Sequence, residues 1–255
     1  MINKNIVCNV LDELGLNSHD VVMIHGNAGV AAQLQSQLFN NNINEFIEIL
    51  VSFFSNGTLL VPAFSYSATK NEIYDPLTTI SEVGLFSESF RKFPTTRRSL
   101  HPIFSFSIVG NKTDFFLDSK IDDCFGEGTI FEKFHKSNGK ILFIGSSIDR
   151  ATFVHYVEQQ LKVPYRYYKY FNSNINYDNY IKNINIKYFV RDLSIDSVTD
   201  LTLFKTMAIN EKLLLSSNLG RFPVSCISAF DFYRISKNLY DTNTYSLIRH
   251  RLNNG

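Results

Sequence analysis

Near the start of the chain, segments with apolar residues at helical spacing alternate with short, continuous apolar runs of strand length. Over residues 4–15 they are spaced at helical intervals and stop at Gly15, which is typical of a residue just past a helix end. The run VVMIHG at 21–26 predicts a buried strand whose tip delivers a loop. A second helical face at 44–54 precedes another apolar run, TLLVPAF, at 58–64. These patterns predict a helix followed by a strand, a helix and a strand.

The same alternation continues through residue 165. The polar stretch at 65–84 predicts an ordered loop over the sheet, and LFSESFRKF after it predicts a helix. We expect further strands at 104–109 and at 140–145, the second being a buried run that ends in glycine. The helix predicted after that glycine carries one apolar stripe, made of Phe153, Val154, Val157 and Leu161. Alternating strands and helices indicate an α/β layer structure.

The remainder of the chain is less regular. Residues 170–193 have the pattern of two strands around a polar tip, and 197–240 contain two weaker helical or mixed segments. A chain of 255 residues with 44% hydrophobic side chains can bury a sizeable core, and no repeat or low-complexity linker divides it. We therefore expect one domain over residues 1–255.

Composition narrows the classes of partner and compartment. The formal net charge of +1 lacks the basic excess of a nucleic-acid binder, which favours a small-molecule partner. Three widely spaced cysteines argue against a disulfide framework or a cysteine-rich zinc site. The first residues have no signal-peptide pattern, and no apolar run is long enough to span a membrane. These features predict a soluble, cytoplasmic protein that binds neither nucleic acid nor membrane.

The motif TFVHYVEQ carries the strongest candidate chemistry. His155 and Glu158 stand three apart, so on a helix they occupy one face, where a carboxylate favours the imidazolium that forms when histidine accepts a proton. Glu158 could instead hold a substrate ammonium, and an isolated H-x-x-E is also compatible with a structural histidine beside a solvated carboxylate. A zinc site of the H-E-x-x-H type is excluded because position 159 is Gln, and the other histidines have no ligand spacing. We expect no metal.

Two other segments could bind phosphate. TTRRSLHP places Arg97 and Arg98 beside Ser99 and His101, and guanidinium groups pair well with phosphate oxygens. IHGNAG, after the first strand, could offer backbone amides to a pyrophosphate or a carbonyl oxygen, although it matches neither G-x-G-x-x-G nor the P-loop. A basic surface loop and a glycine-shaped turn remain the alternatives.

Taken in order, these motifs resemble the aminoglycoside 3-N-acetyltransferase family over about residues 20–170. IHGNAG stands where that family has a V-H-S-S loop, and NGTLLVPAFSYS matches its G-T-L-x-x-P-x-F segment. RRSLHPIFSFSIVG, DCFGEGTIFEKF and GKILFIG follow at similar spacing, and TFVHYVEQ matches the T-x-x-H-x-x-E helix. The resemblance implies a single α/β domain with a central mixed sheet flanked by helices, distinct from the GNAT acetyltransferases.

It also implies an N-acyltransferase with acetyl-CoA or another acyl-CoA as co-substrate and no acyl-enzyme. By this resemblance His155 is the general base, Glu158 is its orienting partner or the ammonium-holding group, and Thr152 faces the same pocket. Coenzyme A would be held by His25, Gly26, Asn27, Arg98, Ser99, His101 and Ser105. Gly26 and Asn27 replace the family's two serines, so side-chain contacts there are in doubt while backbone amides remain available.

The acceptor is predicted from charge. A polycationic aminoglycoside would favour a strongly acidic cleft. The expected substrate side instead mixes acids and bases, including Asp75 and Arg166, and it adds Tyr66 and further tyrosines. Our preferred hypothesis is a nucleotide-linked aminosugar, and VPYRYYKYF resembles versions of the family that serve bacterial surface-polysaccharide synthesis. Aminoglycoside 3-N-acetylation and an inactive member that binds coenzyme A or a glycan are the alternatives.

The acyl group is left open between acetyl and a longer hydroxyacyl. Aromatic segments after residue 170 could support a homo-oligomer.

Overall fold

A seven-stranded mixed sheet forms the centre of the fold in the computed structural model, which describes residues 1–35, 42–178 and 180–249. Its strand order is β3-β4-β2-β1-β5-β9-β8, with β1 parallel to β2 and β5 and all other neighbours antiparallel. Strands β6 and β7 form a separate antiparallel hairpin. The strands are β1 Val21–Gly26, β2 Thr58–Pro62, β3 Arg97–Arg98, β4 Phe106–Gly110, β5 Lys140–Ile144, β6 Arg166–Tyr177, β7 Tyr180–Arg191, β8 Leu215–Leu219 and β9 Phe222–Ser228.

Helices cover both faces of this sheet. Because side chains alternate along a strand, β1 directs Met23 to one core and Val22 and Ile24 to the other. The α-helices are α1 Lys4–Glu13, α2 Asn42–Phe53, α3 Leu85–Arg91, α4 Thr113–Leu117, α5 Ile130–Lys136, α6 Phe153–Leu161, α7 Thr202–Asn210 and α8 Ala229–Thr242. Apolar residues of α1, α2 and α3 pack on the face of Val22, and those of α4 to α8 pack on the face of Met23. The predicted fold class, a single α/β domain with a mixed sheet, is confirmed.

The parallel pairing of β1 with β5 brings two loops together. Gly26 at the end of β1 is level with Ile144 at the end of β5, so the chain leaves both strands at the same sheet edge. The Asn27 N–H donates to the Ile144 carbonyl at 2.9 Å, and the Asn27 side-chain amide donates to the Gly145 carbonyl at 3.2 Å. The loop after β5 then leads directly into α6.

The long hairpin β6–β7 confirms the two strands predicted at 170–193, although it begins earlier. It is joined to the body of the molecule by isolated bridges, Tyr74 with Ile175 and Asp123 with Lys187. Its first residue, Arg166, is buried and donates to the Phe189 carbonyl across the hairpin at 3.1 Å. The hairpin therefore forms one wall beside α6.

Two parts of the sequence interpretation differ from the structure. The strand predicted at 104–109 begins at Phe106, because the N–H groups of Ile103 and Phe104 turn back onto the His101 ring. Residues 197–240, predicted as weak helical or mixed segments, contain α7, the strands β8 and β9 and the 14-residue helix α8. Polar, half-exposed β8 has little apolar alternation, which is why its pattern is weak.

None of the helices within the described residues is both long and apolar enough to cross a membrane. Cys8, Cys124 and Cys226 are free thiols.

Candidate active site

The start of α6 brings together the two residues of the H-x-x-E motif. The apolar stripe of the helix is buried against the core, and His155 and Glu158 lie on an adjoining face, with His155 Nδ1 at 2.7 Å from Glu158 Oε2. The Glu158 side chain is fully buried, whereas 24% of the His155 side chain is exposed. Glu158 therefore contacts the histidine and is withdrawn from any substrate, which excludes its alternative role as the holder of a substrate ammonium.

Arg166 completes a three-residue network with this pair. Its Nε lies 2.8 Å from Glu158 Oε2, and its Nη2 lies 2.8 Å from His155 Nδ1. Its side chain is only 3% exposed, and Nη1 is used by the Phe189 carbonyl. The prediction that Arg166 binds the substrate is corrected accordingly: the guanidinium is engaged inside the protein and acts on His155 and Glu158.

Charges within this network determine the protonation of both titratable groups. Burial alone would raise the pKa of Glu158, but Arg166 and His155 outweigh burial and hold that pKa below its ordinary value. Burial, followed by the positive charge of Arg166, lowers the pKa of His155, against the opposing effect of Glu158. His155 is therefore neutral and Glu158 ionised near pH 7, which are the forms that a general base and its partner require.

The tautomer of His155 decides which ring nitrogen can accept a proton. A neutral imidazole carries one N–H, and Nδ1 is the atom in contact with both Glu158 and Arg166. When the proton is on Nδ1, it is donated to the carboxylate, Nε2 carries the lone pair, and Arg166 acts on Nδ1 through its charge rather than through a hydrogen bond. The general-base form of this site is thus the one in which Nε2 faces the substrate.

His155 opens onto a cavity of about 870 Å³ between α6, the hairpin and the chain end. Arg150, Lys169, Arg191 and Arg249 contribute positive charge to its lining, in addition to the internally engaged Arg166. Asp149 is its only acidic lining residue among those described. We call this space the His155 cavity.

A second cavity of about 810 Å³ lies over the tips of β1 and β5. Its lining includes several of the predicted site residues, namely His25, Gly26, Asn27, Tyr66 and Thr152. We call it the His25 cavity. Ser147 and Arg150 line both spaces, so the two cavities meet at the loop before α6. Thr152 belongs to the His25 cavity, which corrects the expectation that it shares the pocket of His155.

His25 is a neutral polar group at the base of its cavity. Burial lowers the pKa of His25 to about 4, and the ring stacks on Phe143 with centroids 5.3 Å apart. Its Nε2 has no hydrogen-bond partner within the described part of the chain. A buried polar atom without a partner is costly, and Nε2 is itself covered by the protein, so the structure marks His25 as an unsatisfied group beside the cavity.

Arg98 and Ser99 of the RRSLHP segment are directed inward, contrary to their predicted role with coenzyme A, whereas Arg97 is exposed and pairs with Asp114. Arg98 donates to the carbonyls of Thr79 and Ala63 and to the Ser105 hydroxyl. Ser105 in turn donates to the Ala63 carbonyl at 2.7 Å, and both Ser99 and Ser105 are buried. These groups brace the strand ends, and their hydrogen-bonding capacity is directed inward.

His101 has a comparable structural role. Its Nδ1 accepts from the N–H groups of Ile103 at 3.1 Å and Phe104 at 3.0 Å, and burial lowers the pKa of His101 to about 4. With Ser99 it borders a void of about 10 Å³, hardly room for one water. Arg98, Ser99, His101 and Ser105 are therefore left out of the coenzyme site proposed below.

Asp75 is also occupied by its own loop. Its Oδ1 accepts from the N–H groups of Leu77 and Thr78, and its Oδ2 accepts from the Asn176 side chain at 3.0 Å. These contacts outweigh burial and hold the pKa of Asp75 below its ordinary value. Asp75 lines neither the His25 cavity nor the His155 cavity, so its predicted contact with the substrate is corrected to a role in shaping the loop at 65–84.

A family model described as aminoglycoside 3-N-acetyltransferase matches residues 33–241, which include α6 and the β6–β7 hairpin beside the His155 cavity. The chain belongs to this family. The family resemblance expected from the sequence motifs is confirmed, and the T-x-x-H-x-x-E helix of the family is α6.

Two curated relatives illustrate the sequence similarity. Aminoglycoside N(3)-acetyltransferase IV of Salmonella sp is 30% identical over 112 residues, which are 43% of this chain and 42% of that protein. Aminoglycoside N(3)-acetyltransferase III of Serratia marcescens is 32% identical over 82 residues, which are 32% of this chain and 30% of that protein. The matched segments thus span less than half the length of these relatives.

Solved structures show that the likeness of fold extends over nearly the whole chain. AAC-IIIb in a binary complex with CoASH has a TM-score of 0.79 at 20% identity, covering 98% of this chain and 99% of that one. A mutant of AAC(3)-IVa in complex with apramycin has a TM-score of 0.77 at 20% identity, covering 96% and 94%. These family members share the fold described above.

Packing explains one departure from the family's V-H-S-S loop. A Cβ atom added at Gly26 would lie 2.4 Å from the Phe86 ring, so Phe86 fills the space that a serine side chain needs. The expectation that backbone amides of this loop remain available is corrected for two of them. The Asn27 N–H donates to the Ile144 carbonyl, and the Gly29 N–H donates to the Asn27 side chain.

Sequence interpretation missed three cations of the His155 cavity, Arg150, Arg191 and Arg249. The hairpin register contained a usable signal, because pairing outward from Tyr177 and Tyr180 sets Arg191 opposite Arg166. Arg249 reaches the cavity through the folding of the chain end and has no such local signal. Within the described residues, no group of histidine, cysteine or carboxylate side chains could hold a metal ion.

Proposed function

We propose that residues 1–255 form one catalytic domain that transfers an acyl group from an acyl-CoA to the amine of an aminosugar. The observation that carries this proposal is the position of His155, a neutral imidazole oriented by Glu158 and Arg166 beside the junction of two cavities. Membership of an acetyltransferase family supports it. Two substrates can approach such a junction from opposite sides.

The chemistry requires a single attack. The amine nitrogen adds to the thioester carbonyl carbon while His155 Nε2 accepts its proton, the C–S bond breaks, and the imidazolium returns the proton to the departing thiolate. The products are an amide and the free thiol of coenzyme A. General-base assistance contributes about 10²- to 10⁴-fold, and holding both reactants at attack distance contributes about 7–11 kcal/mol in favourable systems.

The two cavities suggest a division of roles. We assign the acyl-CoA to the His25 cavity, whose lining includes His25, Gly26 and Asn27 with Phe64 and Phe86 as apolar surface. Thr152 and Tyr66 lie on the same lining and are proposed to contact the thioester arm. The acceptor amine then enters the His155 cavity, where it meets Nε2.

Two classes of acceptor are candidates. The curated relatives are named as aminoglycoside N(3)-acetyltransferases, which favours an aminoglycoside over the nucleotide-linked aminosugar that is the preferred hypothesis from the sequence. The predominance of basic residues around the His155 cavity favours an aminosugar that carries an anionic group. Acetyl is the acyl group favoured by the family.

The test is thiol release from acetyl-CoA with sisomicin, apramycin, UDP-linked aminosugars and unmodified aminosugars, with products identified by mass spectrometry. We expect at least one amine to be acylated and His155→Ala to reduce the rate about 10²- to 10⁴-fold. His19→Ala is the matched control, because His19 bonds to the neighbouring Ser18 far from both cavities. An undiminished rate in His155→Ala would remove the general base, and no product from any amine would refute the activity.

A further inference from the structure

We propose that Lys169, Arg191 and Arg249 form an anion site in the His155 cavity that binds a phosphate-class group carried by the acceptor amine. This inference rests on the proposed function, because it names the class of acceptor. Its occupant is an amine with an attached phosphate, and the structure provides four arguments for it.

The first argument is the lack of neutralising carboxylates. Lys169, Arg191, Arg249 and the neighbouring Arg150 have no ion-pair partner within the described residues. The carboxylate of Asp149 accepts from the Ser147 hydroxyl at 2.6 Å. Single exposed cations without an ion-pair partner occur elsewhere in the described residues, for example Lys182 and Lys205, but the cations of this cavity are clustered on one lining whose only acidic member among the described residues is Asp149. This local excess of positive charge favours an anionic ligand.

The second argument is the way in which separate elements present these groups to one space. Lys169 lies on β6 and Arg191 at the end of β7, where it pairs in register with Arg166. The backbone of Arg249 is held in place by its N–H, which donates to the Val198 carbonyl at 2.9 Å. The Lys169 ammonium lies 5.1 Å from the centre of the Phe171 ring, which also lines the cavity.

The third argument is chemical fit. Guanidinium groups bind phosphate oxygens through paired hydrogen bonds, and a lysine adds a compact positive charge. A phosphate bound between these residues would make charge-assisted contacts from two strands and the chain end. The polycation of an aminoglycoside would instead meet like charges on most of this wall.

The fourth argument concerns the nucleophile itself. An amine attacks only in its neutral form, and nearby cations disfavour the protonated form. Arg191 is close enough that its charge contributes to lowering the pKa of His155. The cations of this wall therefore favour the neutral base, and a phosphate group bound on them would offset part of that effect.

Coenzyme A also carries phosphates, so the experiment must separate the two sources. Calorimetry would measure the affinity of glucosamine 1-phosphate, with and without saturating coenzyme A, for the native protein and for Lys169→Gln and Arg191→Gln. Lys182→Gln is the matched control, because Lys182 lies exposed on the same hairpin outside the cavity. We expect binding to persist with coenzyme A present, to weaken about tenfold or more in each cavity variant, and to be unchanged in the control.

Equal affinity in the native protein and both cavity variants would overturn the anion site, as would undetectable binding to the native protein. Loss of glucosamine 1-phosphate binding on saturation with coenzyme A would overturn the assignment of the anion site to the acceptor, because the coenzyme phosphates would then occupy that site. Thiol-release assays with glucosamine 1-phosphate, glucosamine and sisomicin separate the two proposals. If sisomicin and glucosamine are acylated but glucosamine 1-phosphate is not, the proposed activity is retained and the proposed anion site is overturned. If glucosamine 1-phosphate binds more weakly to the cavity variants but no amine is acylated, the anion site is retained and the proposed activity is overturned.

Discussion

At the scale of single residues, the site depends on a buried carboxylate that is held ionised. Glu158 is removed from water, and its charge is balanced by Arg166 at 2.8 Å and by a contact with His155 at 2.7 Å. Isolated burial of that charge would be costly, and neutralising it would deprive the imidazole of its partner. Arg166 is therefore a positioning residue: it keeps Glu158 charged and opposes protonation of His155.

Replacing Arg166 tests this role through pH dependence. In the native protein the acidic limb of kcat/KM should lie below 6.5, the ordinary pKa of His155, because burial and Arg166 lower that pKa. Arg166→Met removes the cation and leaves Glu158 facing His155, so the imidazolium becomes more favourable. The limb should move to higher pH, as measured from initial rates across the pH range.

Arg166→Lys is the control for this prediction, because it keeps the positive charge while losing the planar guanidinium that contacts Glu158 and His155 and donates to the Phe189 carbonyl. Its acidic limb should stay near the native position even if kcat falls. An unchanged limb in Arg166→Met would show that the guanidinium does not control the protonation of His155.

At the scale of elements, the tips of β1 and β5 and the start of α6 together form the site. The loop after β1 is held against β5 by Asn27, and α3 contributes Phe86, whose ring occupies the space above Gly26. The His25 cavity is thus shaped by a glycine and a phenylalanine together.

A substitution at Gly26 tests this packing. Gly26→Ser places a Cβ 2.4 Å from Phe86 and should lower the free energy of unfolding by about 1–3 kcal/mol, the usual cost of overpacking. Phe86→Leu opens space, so the double variant should lose less stability than the sum of the two single variants. Urea denaturation of the four proteins measures this coupling, and strictly additive losses would show that Phe86 is not the obstacle.

The elements also show what a sequence can predict. The helix α6, the strands β1 and β5 and the His155–Glu158 pair follow from local periodicity, because their apolar stripe and spacing are contained in a few consecutive residues. The inward use of Arg98 could not be predicted in this way, since its partners Thr79 and Ala63 come from another part of the chain. The same holds for the pair β8 and β9, whose place in the sheet depends on long-range pairing of β9 with β5.

At the scale of the whole molecule, the proposed function depends on the meeting of two cavities. The sheet edge supplies the floor of the His25 cavity, and the β6–β7 hairpin supplies the basic wall of the His155 cavity. Ser147 and Arg150 stand where both join. This arrangement allows both substrates to be present at once and needs no covalent carrier: Cys124 and Cys226 are buried, and burial raises the pKa of each thiol.

The most direct test of this account is an initial-rate measurement in which the concentrations of acetyl-CoA and of an accepted amine are varied together. Direct attack in a complex of both substrates predicts double-reciprocal lines that intersect, and it predicts no release of coenzyme A thiol in the absence of the amine. Parallel lines, with a burst of thiol release before the amine is added, would reveal an acyl-enzyme and contradict a one-step transfer assisted by His155.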